Sequence, residues 1–236
     1  MALLGSIARF DTPPEVTGRL TRLRMPVAAD FEEWAELRAA SRAFLTPWEP
    51  TWPYDDLTRP AFRRRLRRYV RDMREDRAYP FFIYDKRSGE LVGGLTLSNI
   101  RRGVAQTCSL GYWAGERHAG KGFISDAVRA VLPSCFGALG LHRVEAACLE
   151  SNGPSRHVLA AAGFKAEGVA RANPCTLVLV GRAVGARDGR GRADQLPQAD
   201  ARHLRRAGGD GWLHAAHGVG RLHQPHQTLP IGDIPP

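Results

Sequence analysis

Apolar positions along the first two thirds of the chain follow two periods, and each period predicts one type of element. Five segments have the alternation or the short apolar runs that are typical of β-strands: 19–24, 79–84, 91–100, 106–114 and 142–149. Four segments space their apolar side chains as helices do: 31–40, 58–76, 122–136 and 154–163. The order β–α–α–β–β–β–α–β–α predicts an α+β fold, with a mixed, mostly antiparallel sheet flanked by helices.

Capping and turn residues set the expected ends of these helices. Asp30 precedes the first helix as a candidate N-cap. Pro154 is expected as the first residue of the last helix, and Gly163 as its C-cap glycine. Pro133 lies inside the third helix, where we expect a kink because proline removes a backbone hydrogen bond.

Composition changes sharply near residue 173. Every Phe, Tyr, Lys and Glu of the chain lies before this point, and Gly, Arg, Pro, His and Ala dominate after it. Such a segment buries too little apolar surface to offset the entropy that ordering costs. We therefore expect a folded domain at 8–172 and a poorly ordered tail at 173–236.

The charge balance favours acidic partners. The formal net charge is +10, and arginine supplies most of it because the chain has only three lysines. Phosphate-bearing cofactors, nucleic acid and RNA–protein particles would all suit this balance. A base composition of the gene that favours arginine codons explains the same excess, so both interpretations stay open.

Cysteine and hydropathy patterns favour a cytoplasmic protein. The four cysteines form no CxxC pair, so reduced thiols are expected. No run of about 18 uncharged apolar residues predicts a membrane span, and the N-terminus lacks the pattern of a signal peptide. Two H-x-x-H pairs in the tail lie among Gly and Pro, which hold no fixed face, so no metal site is expected.

The segment R-H-A-G-K-G at 117–122 is the first candidate for chemistry, because it joins a predicted strand to a predicted helix. A glycine-containing turn at a helix N-terminus offers free backbone N–H groups to an anion, and Gly120 and Gly122 allow close approach. Arg117 and Lys121 add positive charge, so a pyrophosphate suits the segment. It is neither a Walker P-loop nor a G-x-G-x-x-G fingerprint, and a turn that needs glycine for its geometry alone is the alternative.

Two motifs together resemble the GNAT N-acetyltransferase superfamily. LGYWAGERHAGKGF is similar to its acetyl-CoA-binding motif, Q/R-x-x-G-x-G/A, and HRVEAACLESNGPSRHVLAAAGF follows at the family spacing. With LTLSNIRRG, the combination most resembles the branch that acetylates the N-terminal alanine of ribosomal proteins. The resemblance covers about residues 19–171 and implies the GNAT fold, with acetyl-CoA as co-substrate.

The resemblance also implies a role for each matching residue. Asn152 would hydrogen-bond the pantetheine arm, and Ser155 would protonate the leaving thiolate. Two stretches of main chain complete the implied site. Backbone N–H groups in the first stretch would polarise the acetyl carbonyl; its residues are Tyr112, Trp113 and Ala114. Backbone amides in the second would hold the pyrophosphate; its residues are Arg117, His118, Ala119, Gly120, Lys121 and Gly122.

The implied reaction, attack of a neutral amine on a thioester, needs little help from a base. An N-terminal amine with a reference pKa of about 7.7–8.0 is already partly deprotonated near neutral pH. Glu116 and Glu145 are the candidates for mild base assistance, with Glu116 as the predicted catalytic carboxylate. Pairing with arginine is the structural alternative for each.

The C-terminal part departs from the family pattern. After Gly163-Phe164 the family completes its fold with a strand pair near a segment like Y-L-x-I-N-G-x-W-x-D-H, whereas this chain reads ANPCTLVLVGRAVGARDGRGR. We expect residues 176–180 to supply a strand without a proper partner, which would remove one wall of the acceptor cleft and lower stability or activity. A frameshift is our hypothesis for the change, and translating the coding DNA in its other frames tests it.

The function predicted from these patterns is acetyl transfer from acetyl-CoA to the N-terminal amine, as on alanine, of a ribosomal or other protein. Acetylation of a small-molecule amine and a degenerate, non-catalytic CoA-binding module are the alternatives. No DNA or membrane partner is expected, and the oligomeric state stays open.

Two surface features keep alternatives of their own. The arginine-rich segment 59–77 suits ribosomal RNA or an acidic substrate, or it is a solvated helix face with interspersed carboxylates. Trp48 and Trp52 would line a peptide entrance or pack their loop onto the core.

Overall fold

Eight strands form one sheet in the computed structural model, which describes residues 15–170 and 176–182. In chain order they are β1 Val16–Thr17, β2 Thr21–Arg24, β3 Tyr79–Asp85, β4 Leu91–Arg101, β5 Thr107–Ala114, β6 Arg143–Leu149, β7 Lys165–Ala170 and β8 Thr176–Arg182. Their spatial order is β1-β2-β3-β4-β5-β6-β8-β7. Only β5 and β6 pair in parallel. The predicted mixed, mostly antiparallel sheet is therefore confirmed.

Helices flank this sheet as the sequence predicted. The described part of the chain contains α1 Phe31–Ala40, α2 Arg42–Leu45, α3 Arg59–Arg74, α4 Phe123–Phe136 and α5 Gly153–Ala161. None of these helices is long and apolar enough to cross a membrane.

Two clusters of buried side chains hold the helices against the sheet. One joins Val128 and Val131 of α4 and Leu159 of α5 to the central strands. The other joins the aromatic residues of α1 and α3, and the rings of Trp34 and Phe62 lie 4.8 Å apart in it. The sheet thus has a packed layer on each face, which fixes where α4 and α5 begin relative to the strand ends.

The helix ends correct two of the four expectations about caps and proline positions and confirm one. Asp30 directly precedes α1 but makes no capping bond, because its carboxylate accepts hydrogen bonds from Arg24 at 2.6 and 2.9 Å and from the amide of Val27 at 2.7 Å. Helix α5 begins at Gly153, so Pro154 is its second residue. Gly163 follows α5 with φ +88°, as expected of a glycine that ends a helix. Pro133 lies inside α4, which continues through it, and the kink stays a prediction.

The C-terminal strand corrects the expected domain boundary and the expected open edge. Strand β8 lies between β6 and β7 and is antiparallel to both, so it has two partners where we expected no proper one. Val178, Leu179 and Val180 are buried in it. The folded body therefore extends past residue 172 to at least Arg182, while the expected disorder of the tail lies outside the described residues.

Candidate active site

Strands β5 and β6 part from each other halfway along their length. Their parallel register runs from Thr107 beside Arg143 to Leu110 beside Ala146. Beyond that point both strands continue, to Ala114 and Leu149, without pairing to each other. Backbone groups on the facing edges are thereby left without sheet partners and are available to bind a carbonyl group. Residues 112–114 lie on the unpaired stretch of β5.

The glycine-containing loop follows the unpaired end of β5 and leads into α4. Gly120 and Gly122 have φ of +72° and +84°, in the left-handed region that favours glycine. A Cβ on Gly120 would meet no described atom within 4 Å, so open space adjoins the loop. No described residue accepts a hydrogen bond from the amides of Gly120, Lys121 or Gly122. With the free N–H groups of the first turn of α4, these amides suit an anion.

His118 and Arg117 shape the electrostatics of this loop. Arg117 Nε donates to His118 Nε2 at 3.1 Å, so this imidazole nitrogen carries no proton. Burial lowers the pKa of His118, and the charge of Arg117 lowers it further. The arginine and Lys121 are both exposed and supply the positive charge of the loop.

A half-buried pair of hydroxyl groups lies across the gap between the parted strands. The Tyr112 hydroxyl on β5 lies 2.8 Å from Ser155 Oγ in the first turn of α5. Burial raises the pKa of Tyr112, so the phenol keeps its proton near neutral pH. Sequence reasoning placed Ser155 here but assigned Tyr112 only through its backbone. The alternation of β5, in which neighbouring residues face opposite sides of the sheet, was the available signal for its side chain.

Comparison with known proteins identifies the family that has this arrangement. The family described as Acetyltransferase (GNAT) domain matches residues 19–165. The chain belongs to the GNAT acetyltransferase family. It is an acetyl-CoA-dependent N-acetyltransferase, which confirms the expected enzyme class, fold and co-substrate.

Individual relatives place the chain more closely among GNAT proteins. It is 35% identical over 156 residues to the probable N-acetyltransferase YjcK of Bacillus subtilis, covering 66% of this chain and 86% of that protein. It is 30% identical over 160 residues to the [ribosomal protein uS5]-alanine N-acetyltransferase of Escherichia coli, covering 67% and 82%. The solved structure of Mycobacterium smegmatis RimJ in complex with CoA-disulfide is similar with a TM-score of 0.66 and 30% identity, covering 84% and 95%.

Asn152 of this GNAT domain is placed at the N-terminus of α5. Its side-chain carbonyl accepts a hydrogen bond from the Ser155 amide at 3.0 Å and caps the helix. The cap fixes the first turn of α5, and with it the direction of the Ser155 hydroxyl. The side-chain amide nitrogen of Asn152 keeps its donors for another partner.

Trp113 faces the opposite side of the sheet from Tyr112. Its ring is buried against the guanidinium of Arg38, which is 4.9 Å away and itself has 0% exposure. Arg38 also stacks on Trp52 at 4.0 Å and pairs with Glu49 at 2.8 and 2.9 Å. Trp52 donates to Glu49 at 2.7 Å. This cluster, which the sequence did not reveal, packs residues 46–56, the tryptophan loop, onto the core beside β5.

The two tryptophans of this loop differ, and each matches one of the two alternatives, packing onto the core or exposure to a peptide. Trp52 packs onto the core, whereas Trp48 remains 39% exposed on the surface. Tyr54 of the same loop is also exposed.

The two glutamates considered as bases differ in their surroundings. Glu145 accepts from Arg143 Nε at 2.6 Å, which supports the structural alternative for this residue. Glu116 is exposed just after β5, and its amide donates to Ser41 Oγ at 2.9 Å. No described residue pairs with the Glu116 carboxylate.

The arginines of α3 fall into two groups. Several form ion pairs, including Arg65 with Asp56 at 2.5 Å, and Arg68 and Arg71 with Asp72 at 4.0 and 3.5 Å. Exposed Arg63, Arg67 and Arg74 make no ion pair with another described residue. The ion pairs agree with a solvated helix face, and contact with RNA or an acidic substrate stays a prediction.

Thiols and acidic side chains add no further site to the described part of the chain. Cys108 and Cys135 are buried and free, Cys148 is half-buried and free, and Cys175 lies outside the described residues. No group of three His, Cys, Asp or Glu side chains within residues 15–170 and 176–182 is arranged to hold a metal ion. The H-x-x-H pairs lie outside these ranges.

Proposed function

We propose that the chain transfers the acetyl group of acetyl-CoA to the N-terminal amine of a protein, with an alanine-started ribosomal protein as the favoured acceptor. The gap between β5 and β6 carries this proposal, because it leaves unpaired backbone groups beside an anion-binding helix N-terminus. The resemblance to an enzyme named for the N-terminal alanine of ribosomal protein uS5 supports the choice of acceptor. Ribosomal proteins are cytoplasmic, and we place the enzyme there too.

The residues of the loop fit the phosphates of the coenzyme. Open space beside Gly120 admits an anion, and the amides of residues 117–122 with the first turn of α4 would hold the pyrophosphate. Arg117 and Lys121 would balance its charge. The low pKa of His118 keeps its imidazole neutral until an anion favours its protonation.

The unpaired stretch of β5 would orient the reacting carbonyl. The amide of Gly115 donates to the Val92 carbonyl of β4, so strand alternation turns the Trp113 N–H toward β4 as well. The N–H groups of Tyr112 and Ala114 then face the gap, where they would be available to the thioester oxygen. Such groups are fixed by the pairing of β5 with β4, which continues to Ala114. Preorganised donors stabilise the negative charge that develops on this oxygen during attack.

Proton movements would involve few side chains. The amine loses a proton during attack, and Glu116 is the exposed carboxylate beside the site that would accept it. Ser155 would donate its hydroxyl proton to the departing thiolate while it takes a proton from the Tyr112 hydroxyl, 2.8 Å away, and Tyr112 would then regain a proton from solvent. Asn152 would hydrogen-bond the pantetheine arm with the nitrogen that capping leaves free.

The acceptor peptide would approach from the side of α2 and the tryptophan loop. Ser41, just before α2, binds the amide of Glu116, so this segment adjoins the end of β5. Exposed Trp48 and Tyr54 provide aromatic surface for a polypeptide.

The test is release of free thiol from acetyl-CoA with three acceptors. These are a peptide that begins with alanine, the same peptide with a blocked N-terminus, and a polyamine. Turnover with the free peptide alone supports the proposal. Turnover with the polyamine alone would replace the acceptor by a small amine, and CoA binding without turnover on any acceptor would favour a non-catalytic module.

A further inference from the structure

A buried carboxylate joins the N-terminal turn of the domain to the helix that starts at the glycine loop. Asp126, in the first turn of α4, is more than a hundred residues from the turn between β1 and β2. Its Oδ1 accepts from the amide of Arg19 at 3.1 Å. Its Oδ2 accepts from the amides of Leu20 and Thr21 at 2.9 and 3.0 Å, and from Thr21 Oγ1 at 2.8 Å. One carboxylate thus holds three consecutive amides of the β1–β2 turn.

The close approach of Asp126 to the β1–β2 turn requires a glycine in that turn. A Cβ on Gly18 would collide with Asp126 Oδ2 and would lie 2.8 Å from Thr21 Oγ1. Gly18 also closes the turn, with its amide donating to the Thr21 carbonyl at 2.8 Å. The sequence G-R-L-T at 18–21 is therefore shaped to receive the carboxylate.

The same turn reaches the glycine loop. Apart from the adjacent residues, the Leu20 side chain is the one described group within 4 Å of the position that a Cβ would occupy on Gly122, at 3.9 Å. Asp126 in turn donates its own amide to the Gly122 carbonyl at 3.0 Å. Gly122 is thereby bounded by α4 on one side and by the β1–β2 turn on the other, and Asp126 contacts both.

The negative charge of Asp126 indicates that its position in α4 has a specific role. A carboxylate one turn into α4 would repel a diphosphate at the N-terminus of that helix. Burial opposes ionisation of Asp126, but the bonds from Thr21 and the backbone amides outweigh it and hold its pKa below the ordinary value. The charge is therefore present, and its four donors direct it toward the turn and away from the loop.

We propose that Asp126 is a positioning residue of the coenzyme site, which holds the β1–β2 turn against α4 so that Leu20 supports the loop at Gly122. This inference rests on the proposed function, because coenzyme binding at the loop is itself proposed. The N-terminal turn is then a third component of the coenzyme site, beside the loop and α5, and it acts without touching the reacting atoms.

The experiment compares three single variants of the full chain. Asp126→Asn and Gly18→Ala disturb the contact from its two sides. Arg102→Gln is the matched control, because Arg102 binds Asp76 and the Leu139 carbonyl just beyond the other end of α4. Calorimetry gives the Kd for CoA, kinetics give KM for acetyl-CoA and for the peptide separately, and thermal unfolding gives Tm.

We expect Asp126→Asn and Gly18→Ala each to raise the Kd for CoA and the KM for acetyl-CoA on the order of tenfold, with kcat and peptide KM within about twofold. Arg102→Gln should lower Tm and leave the CoA Kd unchanged. An unchanged Kd in a folded Asp126→Asn protein, or an equal rise in Kd for Arg102→Gln at an equal loss of Tm, would overturn the proposal.

Two further cases are also covered: an Asp126→Asn protein that does not fold, and a wild-type chain that binds no CoA. If Asp126→Asn does not fold, Gly18→Ala and Thr21→Val decide, and Thr21→Val should give a smaller rise in Kd because it removes one bond of the four. If the wild-type chain binds no CoA, the proposed function fails and this inference fails with it, whereas wild-type binding with insensitive variants refutes the inference alone.

Discussion

The hydroxyl of Tyr112 lies 2.8 Å from Ser155 Oγ and joins β5 to α5 across the gap where β5 and β6 part. The two residues are separated by 43 positions in the sequence. Tyr112 also donates to the Ser155 carbonyl at 3.2 Å. Because burial keeps Tyr112 protonated, the pair would offer a short path for a proton to the departing thiolate at the proposed site.

Removal of either hydroxyl should therefore slow the reaction. Ser155→Ala should lower kcat about 100-fold, since general acid help is lost, and Tyr112→Phe should lower it about tenfold, with acetyl-CoA KM nearly unchanged. Steady-state kinetics measure both. Tyr79→Phe is the matched control, because it removes another phenol hydrogen bond, to Asp76 at 2.9 Å, at the start of β3. Equal kcat for Ser155→Ala and wild type would remove Ser155 from the mechanism.

The glycine loop can be tested with a pair of glycines that have nearly the same backbone conformation. Gly120 and Gly103 have φ of +72° and +71°, and a Cβ on either would meet no described atom within 4 Å. Alanine at either position should lower the free energy of unfolding by about 1 kcal/mol. Only Gly120→Ala should weaken CoA binding, by about tenfold or more, because Gly103 lies in the β4–β5 turn. Titration calorimetry and urea unfolding separate the two effects, and equal CoA affinity in both variants would contradict the role of the loop.

Much of the fold, and the glycine loop of the site, follow from local patterns in the sequence. The meander β3–β5, the helices α3 and α4, and the loop at 117–122 were predictable, because strand alternation, helical spacing and glycine turns are properties of neighbouring residues. The partners of Arg38, Asp126 and Tyr112 were not, because each contact joins segments far apart in the chain. Strand β8 was predicted, but its place between β6 and β7 depends on tertiary pairing that no local pattern encodes.

Strand β8 should mark the end of the part that the fold requires. A chain that ends after Arg182 should retain the Tm and CoA affinity of the full chain. One that ends after Ala172 should lose most of its stability, because β6 and β7 then lose their shared partner. Circular dichroism melting and calorimetry of both chains test this. A stable, CoA-binding protein without residues 173–236 would show that β8 is dispensable.

His118 should make coenzyme binding depend on pH. Its pKa in the folded protein lies below the ordinary 6.5, mainly because of burial, so the unfolded chain binds this proton more tightly. The stability linked to His118 is therefore fully present above pH 6.5 and is lost as the pH falls below that value. A bound pyrophosphate favours the protonated imidazole, so CoA should bind with net proton uptake as the pH falls toward and below 6.5.

Calorimetry in buffers of different ionisation enthalpy measures this uptake, and thermal unfolding without CoA measures the stability change. His118→Asn should abolish the uptake, whereas exposed His157→Gln should leave it intact. Proton uptake that persists in His118→Asn would assign it to another group.

The buried Arg38–Glu49 pair should be sensitive to the loss of one partner. Arg38→Met leaves a Glu49 carboxylate with 6% exposure beside apolar rings, and we expect a loss of about 3 kcal/mol in the free energy of unfolding. Arg38→Met combined with Glu49→Gln should recover a large part of it. Urea unfolding of the single and double variants measures this. No recovery in the double variant would show that Arg38 acts through its stacking between Trp52 and Trp113 instead.

The position of β8 also has a consequence for synthesis of the protein. Strand β8, the last described strand in chain order, fills an interior place in the sheet. A growing chain therefore exposes the free edge of β6, and β7 has no neighbour, until β8 emerges from the ribosome. A product of early termination between β6 and β8 would carry that bare edge and be prone to self-association. Whether the enzyme reaches its native fold is thus decided late in translation, when the β7–β8 hairpin either pairs with β6 or leaves the sheet incomplete.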